Sequence, residues 1–216
     1  MGNRILSVPY KSQNDPDANW KHTDCGPCCV AMILCGTGHQ VTTNAVTATA
    51  NQQGDNGLTQ SQVVSAAAAF GLSMAWKQGF SLEDLKQFVD NGQPPIALVK
   101  YAYLPNRVDK ASTGGHYVIV VGYDDSTQRV FINDPDYYPG TNGGYQVTYS
   151  YQTWMAAWGG FAAGENANFS LIYPTKAGLI GGAGTTTAPT QPVGQPSGDV
   201  YVIAPNGVNL RLSPDG

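Results

Sequence analysis

The chain has 216 residues, 42% of them apolar and only 12% charged, with a formal net charge of −4. That length supports one domain with a full core, or one domain plus a fragment. No run of Lys or Arg occurs, so the attraction that drives nucleic-acid binding is missing, and no apolar stretch approaches the ~20 residues that span a bilayer.

The opening "MGNRILSVPYKSQ" lacks the long apolar core of a secretory signal. Next, "DCGPCCVAMILCG" fits a buried helix: Asp24 is placed to cap it, Pro27 falls in its first turn and Gly36 closes it. "TQSQVVSAAAAFG" begins with a capping box from Thr59 to Gln62 and ends at Gly71. "SLEDLKQFVDNG" repeats the pattern from Ser81 to Gly92. The centre changes period. "PPIALVKY", "HYVIVVGY" and "RVFIND" are short β-branched runs bounded by turn residues, and so read as strands. A short helix over "YQTWMAAWGG" and a strand over "ANFSLIYP" follow. Helices first and strands later is the segregation of an α+β fold.

Three domains of character result: a folded domain over 1–174, a linker over 175–198 and a fragment over 199–216. The middle segment holds one charge, six glycines and three prolines, too little apolar surface to order itself. The last, "DVYVIAPNGVNLRLSPDG", reads as the opening strands of a second domain, with a hairpin turn at Asn206-Gly207.

All four cysteines fall within residues 25–35. Cys25-x2-Cys28 resembles half of a zinc site, but no second Cys or His pair completes a tetrahedron, so no metal is expected. A bridge inside one helix is geometrically poor. Cys28, Cys29 and Cys35 are therefore expected to be small buried hydrophobes. Cys25 differs because it stands at the helix N-terminus, where unpaired N–H groups favour an anion and a nucleophilic thiolate.

A thiolate needs a base, and the chain has three histidines. His22 and His39 lie in loops flanking the cysteine helix and are expected to be solvated. His116 opens a hairpin around "DDSTQ", and a turn centred near Ser126 sets Asp134 opposite Val118, diagonal to His116 on the same face. Asp134 is thus placed to hold the imidazole's tautomer and charge, as the third member of a catalytic triad does; its bland alternative is a strand-ending Asx turn. Acyl transfer also needs oxyanion donors. The Cys25 N–H is one candidate, and Gln13, Asn14 and Asn19 offer side-chain amides.

The order "VPYKSQ", "DCGPCCVAMIL", "GGHYVIVVGYDD", "VFINDPD" resembles the family-39-like cysteine peptidases over roughly residues 5–173. These are papain-like enzymes related to the double-glycine leader peptidases of bacteriocin exporters. The resemblance implies a papain-like α+β fold, with Cys25 as nucleophile, His116 as base, Asp134 as orienter and Gln13 as oxyanion donor. Gln13 precedes Cys25 by a longer gap than in papain, so an insertion including Trp20 must loop out. "GVNLRLSPDG" is similar to the start of bacterial Src-homology-3-type domains through Asn209, Leu210 and Arg211, which implies a cell-wall partner and a secreted or wall-associated location.

The leading expectation is a cysteine peptidase acting on a peptide or protein without a cofactor. A phage-lysin-type peptidoglycan peptide hydrolase is the alternative among enzymes, and a non-catalytic peptide-binding domain the alternative outside them. "LIGGAG" invites self-cleavage after a double glycine, against which a plain linker is preferred.

Overall fold

Helix formation around the cysteines follows from composition. The computed structural model describes residues 2–50, 56–162, 165, 167–183, 200–203 and 209–212. After β1 (Asn3–Leu6), α1 runs from Cys25 to Gly36 with ten of its twelve residues buried. A helix apolar on every side belongs in a core. Asp24 holds the N-cap position, but its side chain does not cap the helix. Its carboxylate instead accepts from the Trp20 N–H at 2.9 Å and the Thr47 hydroxyl at 2.9 Å. The left-handed residue that ends the helix is Gly38, φ +91°, not Gly36. Gly36 instead lies where a Cβ would run into Ile180 and Pro9.

Two short helices pack on α1: α2 (Thr43–Thr49), capped by Thr42, and α3 (Gln60–Ala68), which carries the expected Thr59–Gln62 capping box. Then come β2 (Met74–Lys77), α4 (Leu82–Asp90) with a Ser81–Asp84 box, and β3 (Ile96–Lys100), followed by one 3-10 turn. The long strand β4 (Gly115–Asp124) turns into β5 (Arg129–Asn133) and β6 (Val147–Ser150). Last in this body are α5 (Tyr151–Trp158), β7 (Leu171–Pro174) and β8 (Gly182–Ala183).

The strands form one antiparallel sheet in the order β2-β7-β3-β4-β1-β8, with β5 and β6 branching from β4. Strand β4 is buried from its second residue to its last and packs against α1, so the cysteine helix and the hairpin meet in the core. No described helix is long and apolar enough to cross a membrane.

The chain divides into two compact units, Met1–Thr186 and Thr187–Gly216. The first continues past Pro174. Ile180 is buried, its N–H bonds to the Gly92 carbonyl at 3.0 Å, and β8 pairs with β1. The stretch 175–183, expected to be linker, is thus bonded to the body, although residues 175–178 and 181 are exposed. The second unit contains a hairpin of β9 (Val200–Ile203) and β10 (Asn209–Leu212), registered Asn209 to Ile203. The Asn206-Gly207 turn lies outside the described residues.

Candidate active site

Cys25 is the first residue of α1 and lies on the floor of a cleft of about 470 Å³, which Gln13 and His116 also line. Cys25 and His116 line this cleft together, and Cys25 is among the groups that raise the His116 pKa. The other three thiols face away. Cys28 Sγ donates to the Lys11 carbonyl, Cys29 Sγ to that of Tyr117 and Cys35 Sγ to that of Val41. Burial pushes the Cys28 and Cys29 thiols well above their ordinary range. All four cysteines are free; Cys28 and Cys29 are buried as expected, whereas Cys35, expected to be buried, is half-buried.

His116 is the second residue of β4, paired with Val99 of β3. Its Nε2 lies 2.7 Å from Asp134 Oδ1, so Nδ1 is the ring nitrogen left for the sulfur. Hairpin register produces this pair, with a refinement. The turn is fixed by Asp124, whose Oδ1 accepts from the Ser126 N–H at 2.8 Å, and the pairs nearest it are Asp124–Arg129, Tyr123–Val130 and Gly122–Phe131. A bulge between Val120 and Gly122 shifts the ladder by one residue, to Val120–Ile132 and Ile119–Asn133. Continued one step, Asp134 falls opposite Val118, on the face of His116. Without the bulge it would fall opposite Ile119, on the other face.

Asp134 is fully buried. Its N–H donates to the Gly144 carbonyl at 2.8 Å, its carbonyl accepts from Tyr10 Oη at 3.1 Å, and Oδ1 also accepts from the Asp136 N–H at 3.0 Å. Burial alone would lower the His116 pKa, but the charge and hydrogen bond of Asp134, together with Cys25, outweigh it and raise the value to about 10.

Gln13 is 4% exposed and is held at both ends. Its N–H donates to the Pro135 carbonyl at 2.9 Å, so the backbone after Asp134 also places Gln13. Its Nε2 donates to the Lys21 carbonyl at 2.7 Å, within the loop that follows the insertion. An amide nitrogen carries two hydrogens, so one remains for the cleft. Trp20 loops out with 39% of its surface exposed. Of the other amides, Asn14 also lines the cleft, whereas Asn19 pairs with Asn44 at 3.1 Å. His22 is exposed at the cleft's rim, and His39 bonds Thr37 beyond the far end of α1.

Two cleft residues escaped the sequence reading. The Tyr101 ring lies 4.3 Å from that of His116, centroid to centroid, and its hydroxyl donates to Asp136 Oδ2 at 2.8 Å. The second aspartate of "NDPD" was visible as a neighbour of Asp134, but nothing local linked it to Tyr101, thirty-five positions away.

The model of the Peptidase_C39-like family matches residues 5–163. No curated protein matches the chain. A solved structure described as a C39-like peptidase from Bacillus anthracis superposes with a TM-score of 0.57 at 16% identity, covering 81% of this chain and 98% of that one. The peptidase domain of Streptococcus ComA, a bifunctional ABC transporter involved in a quorum-sensing pathway, gives 0.50 at 16% identity with the same coverages. These likenesses show the papain-like α+β fold, and with the family match over residues 5–163 the chain belongs to the C39-like family of cysteine peptidases.

Proposed function

We propose that this chain hydrolyses peptide bonds through Cys25, His116 and Asp134, with Gln13 and the Cys25 N–H as oxyanion donors. One observation carries the reading: Cys25 and His116 line the same cleft, and Asp134 bonds the Nε2 of that imidazole. His116, protonated at neutral pH because its pKa is raised to about 10, holds the proton on Nδ1, and the Cys25 sulfur attacks the scissile carbonyl carbon as a thiolate while the π electrons move onto the carbonyl oxygen. The oxyanion accepts from Gln13 Nε2 and the Cys25 N–H. Collapse of this intermediate breaks the C–N bond, and the imidazolium donates its proton to the leaving amine. The raised His116 pKa suits that acid role, because the ring is protonated at neutral pH when the amine departs. Water then loses a proton to Nδ1 and attacks the thioester. The sulfur leaves as the thiolate beside the imidazolium, which restores the site.

Asp134 acts on the ring alone. It fixes Nε2–H and compensates the imidazolium charge inside the protein.

The test is hydrolysis of a peptide library and of purified cell wall, read by mass spectrometry. Cys25→Ala is expected to abolish cleavage. Cys28→Ala and Cys29→Ala are expected to cost mainly stability, since each only loses packing and a bond to a carbonyl. Equal loss of activity in all three variants would refute the assignment of a single working thiol. Cleavage of cell-wall peptides in the same assay would favour the peptidoglycan reading of the substrate.

A further inference from the structure

His116 and Asp134 belong to a larger closed circuit of contacts. Asp134 Oδ1 accepts from the Asp136 N–H at 3.0 Å as well as from His116 Nε2. Asp136 Oδ2 accepts from Tyr101 Oη at 2.8 Å, and the Tyr101 ring returns over the His116 imidazole at 4.3 Å with the planes inclined by 41°. Tyr101 is 1% exposed, so its ring has little freedom. Its hydroxyl also accepts from the Val108 N–H at 3.2 Å, which ties the loop following β3 to the same point.

We propose that Tyr101 and Asp136 are positioning residues of the peptidase, holding the His116 ring so that Nδ1 faces the Cys25 sulfur. Two constraints act on the ring, and neither suffices alone. The bond to Asp134 fixes one ring atom and leaves the imidazole free to swing about that bond. The face of Tyr101 blocks the swing. The Tyr101 ring is in turn set by its hydroxyl, which Asp136 anchors, and Asp136 is set by its own N–H on Asp134. The carboxylate of Asp136 therefore works through a hydrogen bond and not through contact with substrate.

This inference rests on the reading of Cys25 and His116 as the working pair, and the experiment separates the two. Alkylation of Cys25 in the full chain by iodoacetamide at neutral pH, followed by mass spectrometry, reports the thiol–imidazole geometry without any substrate. Tyr101→Phe keeps the buried ring and removes the hydroxyl; Asp136→Ala removes the acceptor. A misplaced catalytic group costs up to about 100-fold in rate, so each variant is expected to slow alkylation roughly tenfold. Their double variant is expected to be no slower than either single one, because both break the same bond. Asp136→Asn keeps an acceptor oxygen and is expected to restore a rate near that of the wild type, with kcat for a library-selected fluorogenic peptide following the same order and KM unchanged.

Wild-type alkylation rates in both single variants would overturn the proposal. So would multiplicative losses in the double variant, or an Asp136→Asn as slow as Asp136→Ala. If Cys25→Ala still cleaves peptide, the reading beneath the proposal fails. If Cys25→Ala is inert while Tyr101→Phe and Asp136→Ala react like the wild type, only the positioning role fails.

Discussion

The ionisation of His116 links the site to the stability of the whole fold. Burial opposes the charged ring, Asp134 and Cys25 favour it, and the favourable contributions prevail, so the folded pKa rises to about 10. An unfolded histidine titrates near about 6.5. The folded state therefore keeps a proton that the unfolded state has lost, and this contribution to stability is complete below about pH 6.5 and disappears as the pH rises through about 10. In Asp134→Asn the favourable charge is gone and burial dominates, which sends the His116 pKa downward. The urea midpoint of the wild type is expected to fall between pH 6.5 and 10, and that of Asp134→Asn to lack this fall; identical declines would mean that Asp134 is not its source. At this scale Cys25 and His116 were legible because a thiol at a helix start and a histidine opening a hairpin are local patterns. Tyr101 was not, since its role comes from a ring meeting a ring across the β3–β4 pair.

Among elements, those with a strong local signal were readable and the others were not. The capping boxes at Thr59 and Ser81 close as their spacing requires, and β3, β4 and β5 follow their β-branched runs. Helix α2 reads "TNAVTAT", a β-branched sequence of modest helix propensity, and it forms because Thr42 caps it and Val46 is buried in the core. Strands β1, β2 and β6 have four residues each, too few for alternation to stand out. The bulge in β4 was equally invisible, yet it decides which face Asp134 occupies. The Asp134 loop also depends on Gly144, where a Cβ would collide with the Asp134 carbonyl and the Tyr10 hydroxyl. Overpacking of this kind costs about 1–3 kcal/mol. Gly144→Ala is therefore expected to lower the thermal midpoint and, by moving Asp134, to reduce hydrolysis. Gly57→Ala, which adds a Cβ with nothing within 4 Å, serves as the neutral control. Full activity in Gly144→Ala would show that this loop does not set the carboxylate.

At the scale of the first unit, the segment after β7 belongs to the body because backbone bonds, the β8–β1 pairing and the buried Ile180 hold it. The Gly178 N–H donates to Asn91, the Ile180 N–H to Gly92, and the Ser7 N–H to the Gly181 carbonyl. Ile180 is 3% exposed and sits against the C-terminal end of α1. Composition alone could not reveal this, because a glycine-rich stretch with a single anchoring isoleucine reads as linker until its partner surface is known. The same placement bears on the double glycine of "LIGGAG". Gly182 pairs with Leu6 of β1, two residues after Ile180, which meets Gly36 at the end of α1 opposite Cys25, about 16 Å along the helix axis. Cleavage there within one molecule would require β8 to leave the sheet. Burying an isoleucine side chain stabilises by about 1.5–3 kcal/mol, and each kcal/mol moves the midpoint of a unit this size by about 2–4 °C. A chain ended after Pro174 is accordingly expected to melt roughly 3–12 °C below one ended after Thr186, with the Cys25–His116 cleft intact in both. Equal midpoints by calorimetry would show that β8 and Ile180 only rest on the body, and residues 175–183 would then return to the linker.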